Sequence, residues 1–235
     1  MLNMGGTMAK SFISSNMARY QPGVSGFWAL LKHYFAVDNA YVLRKFKVLL
    51  LPVLKKSWHR VPAEEAGAAQ DGSAQFKFAR PCVDENAPDL YLPLMAFITH
   101  ALISGFVKGR ASNFTPEVLV EVTSSAMVVQ LLEVLLVRLG LYLLGAPAAM
   151  LDLVAFTGYK FVALCINMAV GIALGRTGYY VALVYTGLMT AYFMLKTMAC
   201  AVPLGPASRD VMIAGFAALQ FASIWWLGDP KDLEP

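Results

Sequence analysis

Charge is scarce in this chain. Asp, Glu, Lys and Arg make up only 14% of its 235 residues, against 58% hydrophobic residues, and the mean hydropathy is +0.57. That balance excludes a lone soluble core and predicts several membrane-spanning helices. Cysteine is scarce as well: Cys82, Cys165 and Cys200 form neither a paired framework nor a metal-ligand spacing, and they read as packing residues. The three histidines, His33, His59 and His100, are equally scattered, and there is no His-Glu-x-x-His pair for zinc. No catalytic set stands out, so a non-enzyme without cofactor, metal or nucleic-acid partner is expected. The first residues lack the apolar run of a signal peptide, and Gly is not at position 2 as myristoylation requires. The first spanning helix is therefore expected to direct insertion.

What the chain does have is an abrupt change of polarity at Asp89. Residues 1–89 hold 11 of the 19 Lys/Arg and 7 of the 15 Asp/Glu, a modestly basic tail, and apolar segments dominate from residue 90 onward. Apolar runs long enough for a hydrocarbon core of roughly 30 Å, which takes about 20 helical residues, number five. They lie at approximately 90–107, 117–144, 151–174, 178–200 and 209–228. The short links between them predict antiparallel neighbours, so the expected fold is an all-α membrane protein, a five-span bundle at 90–228 with a short lumenal tail at 229–235. Lys/Arg flanking the spans are balanced between the two sides. The nine further Lys/Arg of the tail tip the expectation towards a cytosolic N-terminus.

Within the tail, the apolar residues Val42, Leu43, Phe46, Leu49, Leu50, Val53 and Leu54 recur with helical spacing between 41 and 56. Arg44, Lys45, Lys47, Lys55 and Lys56 gather beside them, as in an interfacial amphipathic helix or one docked on the bundle. Pro52 is expected to kink or divide that helix. Residues 61–85, rich in Ala, Gly, Gln and Glu, read as a flexible linker.

Charges inside spans cost several kcal/mol unless paired or wet, which singles out Glu121, Glu133, Arg138 and Lys160. Either Glu133 and Lys160 form part of a polar pathway for an ion or substrate, or Lys160 pairs with a carboxylate of the second span. In the second case Glu121 and Arg138 reach the interfaces. The pairing reading is favoured. Gly171 and Gly175 have GxxxG spacing, and Ala214, Ala218 and Ala222 form a small-residue stripe expected to pack within the bundle. Tyr179, Tyr180, Trp225 and Trp226 are placed where aromatic belts anchor helices. Asn113 opens a formal glycosylation sequon, expected to stay unmodified because Pro116 follows and the membrane is near.

Several sequence blocks resemble a known family. They are 33–47 (HYFAVDNAYVLRKFK), 86–99 (NAPDLYLPLMAFIT), 114–119 (FTPEVL), 158–160 (GYK) and 178–183 (GYYVAL). In this order they resemble the Yip-interacting factor (Yif) family of five-span membrane proteins, part of the larger Yip-domain group. The resemblance implies a cytosolic N-terminus, a lumenal C-terminus, and residence in ER membrane, Golgi membrane and transport vesicles. It also implies hetero-oligomers with Yip-type membrane proteins, contacts with Rab GTPases and vesicle coat components, and a lipid bilayer around the bundle. The wider group usually has Gly where Leu92 stands, which favours the Yif branch, and the tail is shorter than is usual for the family. The expected function is a trafficking factor in ER-to-Golgi transport that scaffolds its partners, with Arg44, Lys45, Lys47, Asp89, Leu90, Tyr91 and Pro93 as the partner-binding residues. A small transporter or channel using Glu133 and Lys160, and a membrane-shaping protein with a wedging helix, are the competing readings.

Overall fold

The structure, a computed structural model, describes residues 25–62, 78–110, 115–146, 148–202 and 207–228. Among these residues the regular structure is helical, apart from one isolated bridge between Pro62 and Phe78. The tail contributes α1 (Ser25–Tyr34), α2 (Asn39–Leu50) and a 3-10 turn (Pro52–Leu54). The bundle contains α3 (Tyr91–Arg110), α4 (Pro116–Leu143), α5 (Met150–Gly158), α6 (Lys160–Ala201) and α7 (Ala207–Leu227).

Local chemistry sets the helix ends. The Asp89 carboxylate accepts a hydrogen bond from the Leu92 amide at 2.8 Å, which satisfies one of the free donors at the start of α3. Pro93 follows within that first turn, where the missing amide hydrogen costs nothing. At α4 the extended Thr115 precedes Pro116 at the first helical position. In the tail, α2 stops at Leu50 and Pro52 opens the 3-10 turn, because the proline ring cannot continue the preceding helix.

Four helical stretches are long and apolar enough to cross a membrane, namely Tyr91–Arg110, Pro116–Leu143, Met150–Ala201 and Ser208–Leu227. The third runs for 52 residues, and a straight helix of that length would measure roughly 78 Å, more than twice the hydrocarbon core. It is not straight, since Gly175 takes φ 70° and ψ −167°. Thr186 Oγ1 lies 2.7 Å from the Asn167 amide group, although a straight helix would hold the two roughly 28 Å apart. The Tyr159 and Phe193 rings also meet, with centroids 5.6 Å apart. Both pairs bracket Gly175, so residues 150–174 and 176–201 are antiparallel halves of a hairpin. Counting them separately gives five helical segments, the number that the apolar runs predict.

Gly175 has no neighbour within 4 Å of where a Cβ would stand, so any penalty for a side chain there is backbone strain alone. Its φ/ψ combination belongs almost only to glycine, and Gly175→Ala should cost about 1–3 kcal/mol. A lower thermal unfolding midpoint in detergent is the expected readout. An unchanged midpoint would show that the turn tolerates another conformation.

Glycines elsewhere receive aromatic rings. A Cβ on Gly140 would stand 2.4 Å from Phe216, and one on Gly187 would stand 2.7 Å from Phe221. Because α7 turns these large residues inward, its small ones face out: Ala214, Ala218 and Ala222 are exposed, contrary to the expected packing within the bundle. Tyr179 also differs from expectation. It is fully buried with Leu164, Met168, Leu183 and Ile224, so it is a core residue, whereas Trp225 and Trp226 do face outward. Asn113 lies outside the described residues.

Candidate interaction site at the tail junction

Three of the blocks read from the sequence meet where the tail joins the bundle. Helix α2 buries Tyr41, Lys45, Val48 and Leu49, spaced as one face of a 3.6-residue period. Lys45 is 0% exposed. Its ammonium donates to the carbonyl oxygens of Glu85 at 2.9 Å and Ala87 at 2.8 Å, and it lies 5.0 Å from the centre of the Tyr159 ring. Asp89, also 0% exposed, accepts hydrogen bonds from the Tyr41 hydroxyl at 2.8 Å and the Tyr159 hydroxyl at 2.5 Å. Its own amide donates back to the Tyr159 oxygen at 3.0 Å. The node therefore joins α2, the cap of α3 and the α5/α6 junction, with Phe193 of the second hairpin half edge-on to Tyr159.

Each residue of the 158–160 block has a distinct task. Gly158 lets Pro93 approach so closely that a Cβ would stand 2.7 Å from the proline ring. Tyr159 binds Asp89, and Lys160 pairs with Glu133. Burial pushes the Lys45 ammonium down to about 8, with the nearby Asp89 carboxylate opposing that shift. Burial and the same carboxylate push the Tyr41 phenol up.

A second polar cluster that the sequence reading missed lies beside the node. The Tyr34 hydroxyl donates to Asp152 at the start of α5, and Arg60 Nη1 reaches the same carboxylate at 2.9 Å. Burial, together with Asp152, raises the Tyr34 phenol. Residues 78–90, partly inside the stretch that reads as linker, are folded against these elements. Ala79, Asp84 and Ala87 are buried, and the Asp84 carboxylate accepts from the amides of Val61 and Asn86, at 2.9 and 2.8 Å. Most of the remaining linker, 63–77, lies outside the described residues.

Deeper in the bundle, Lys160 Nζ donates to the Glu133 carboxylate with both side chains buried. Ser223 of α7 donates to the same oxygen at 3.0 Å. The pair thus connects α4, α6 and α7. Glu121 and Arg138 are exposed on α4.

The residues expected to bind partners fall into two groups. Arg44, Lys47 and Tyr91 face outward, Arg44 in an ion pair with Glu85 at 3.1 Å. Lys45, Asp89 and Pro93 face inward, the first two holding the tail on the bundle and Pro93 packing on Gly158, and Leu90 is half-buried with its amide donating to the Tyr34 carbonyl at 3.2 Å. Asp89, expected to bind a partner, is instead taken up by buried capping and phenol contacts. The signal for Lys45 was present in the sequence, four residues after Tyr41 and three and four before Val48 and Leu49.

The sequence profile of the YIF1 family matches residues 1–227. The chain is similar to protein YIF1B of Xenopus tropicalis, 36% identical over 211 residues, covering 84% of this chain and 67% of that protein. It is similar to mouse protein YIF1A, 37% identical over 213 residues, with the same shares of 84% and 67%. Protein transport protein yif1 of Schizosaccharomyces pombe is 37% identical over 175 residues, covering 73% of this chain and 58% of that protein. No solved structure matches. With a profile match that spans the tail, the junction and all the helical segments, the chain belongs to the YIF1 family.

Proposed function

We propose that the chain is a non-enzymatic membrane trafficking factor of ER-to-Golgi transport, resident in ER, Golgi and vesicle membranes with its N-terminus cytosolic. It assembles there with a Yip-type membrane protein and presents its tail to Rab GTPases and coat components. The observation that carries this reading is the family match over residues 1–227, together with fungal relatives named as protein transport proteins. Two surfaces are suited to that role. A tail clamped to the bundle through Lys45 and Asp89 offers Arg44, Lys47 and Tyr91 outward at a fixed position. On α7, exposed Ala214, Gly215, Ala218 and Ala222 leave room for a partner helix to approach closely.

Arg44→Glu combined with Lys47→Glu is expected to abolish capture of the GTPase and Golgi targeting while the tail stays docked, because neither side chain is part of the buried node. Pull-down from cells and fluorescence localisation check it, and undiminished capture and targeting would reject the recognition surface. Lys45→Glu is unsuited to this test, since it would place a carboxylate beside Asp89 and undock the tail.

A second reading, membrane shaping, is favoured by the exposed Leu51, Val53 and Leu54 at the 3-10 turn. The Tyr185 hydroxyl donates to the Leu50 carbonyl at 2.8 Å, which places this turn along the flank of the second hairpin half. Liposome tubulation by the purified chain, lost with Val53→Asp and Leu54→Asp, would support shaping over scaffolding.

A further inference from the structure

The end of the bundle away from the tail holds a cavity of about 170 Å³ between α3, α4, α6 and α7. Lys108 lies roughly 28 Å along α3 from Asp89, so this site is separate from the tail junction. His100 and Ser104 of α3 are buried and lie at its inner side, and His100, 3% exposed, has no hydrogen-bond partner for Nδ1 among the described residues. The rim carries a cation, Lys108 on α3, and a carboxylate, Glu121 on α4, with Ser125 one turn further on. Trp226 of α7, 79% exposed, completes it.

This combination suits a zwitterion. An ammonium group is recognised by a carboxylate together with an indole face, and a phosphate by a lysine with hydroxyl donors. The mouth also has an amphiphilic continuation. Glu121, Ser125, Val128 and Leu132 follow one another on a single exposed face of α4 at helical spacing, polar at the cavity and apolar towards the middle of the span. A headgroup in the cavity would have its acyl chains lying along that stripe. Soluble zwitterions share the headgroup chemistry but have no use for the stripe. We propose that the cavity between α3, α4 and α7 binds the headgroup of a zwitterionic phospholipid.

The test uses the full chain in dodecyl maltoside micelles doped with phosphatidylcholine, with retained lipid counted by native mass spectrometry. The wild-type chain should hold one phosphatidylcholine in preference to phosphatidylglycerol. Glu121→Gln and Trp226→Ala should each lower retention about tenfold, the scale of a desolvated cation–π or charge contact. Ser125→Leu, which fills the mouth without touching the core, should block retention. Lys196→Gln, on a residue outside the cavity lining, should leave it unchanged. Equal retention by all variants, or of phosphatidylglycerol as readily as phosphatidylcholine, would overturn the proposal. Displacement of the lipid by soluble glycerophosphocholine at millimolar concentration would assign the cavity to a free phosphodiester and overturn it also.

Discussion

Asp89→Ala is expected to release the tail helices from the bundle. One carboxylate receives two phenol hydroxyls and caps α3, and it is the carboxylate that most favours the buried Lys45 ammonium. Alanine would leave the Tyr41 hydroxyl with only the Ala87 carbonyl at 3.2 Å, the Tyr159 hydroxyl with only the backbone amide of residue 89, and the ammonium with carbonyl oxygens alone. Removing one member of a buried charged set costs about 3–5 kcal/mol, enough to shift docking by more than a hundredfold. Amide hydrogen exchange across 39–54 should lose its protection while α4 and α7 keep theirs. Full protection in the variant would mean that apolar contacts alone hold the tail.

The same node has a pH signature. The undocked Lys45 titrates near 10.5 and the docked one near 8, so between these values the undocked tail binds more protons and docking strengthens as pH rises. Below 8 both forms carry the proton, and Lys45 adds no further slope. Tyr41 acts in the opposite sense above its ordinary value of 10, because the undocked phenol ionises first. Docking should therefore peak near pH 10, as read from the mobility of a spin label at position 43.

The second large effect is expected in the bundle. Lys160→Met leaves the Glu133 carboxylate buried with only Ser223 beside it, and should cost about 3–5 kcal/mol. Glu133→Gln combined with Lys160→Met should recover most of that loss, because no net charge then remains inside the bundle. Thermal unfolding in maltoside of the wild type, the single and the double variant decides it. A double variant as unstable as the single would show that the pair's shape, and not its charge balance, holds α4, α6 and α7 together. Ion flux into vesicles that disappears with Lys160→Met would instead support the transport reading.

The spans were legible because hydrocarbon demands long apolar runs, and Glu133 and Lys160 stood out because charge is costly inside them. Turn and helix boundaries at Pro52, Pro93 and Pro116 follow from proline's missing donor. The inward placement of Lys45 escapes any rule that charge marks a solvated side, although its spacing from Tyr41 and Leu49 puts it on the buried face. Tyr159 and Asp152 could not be found this way, since their partners lie far off in sequence and periodicity carries only local information. The outward turn of the α7 alanines was hidden for a similar reason, as it depends on Phe216 and Phe221 meeting glycines on other helices.

The hairpin at Gly175 has a consequence in time. Lys45 leaves the ribosome early, yet the aromatic wall that encloses it is completed by Phe193. At roughly 5–20 residues per second, that ring follows about 7–30 s later. Throughout that interval the buried face of α2, with Tyr41, Val48 and Leu49, lacks the part of its cover that comes from the second hairpin half. The tail is thus made first and its cover completed late.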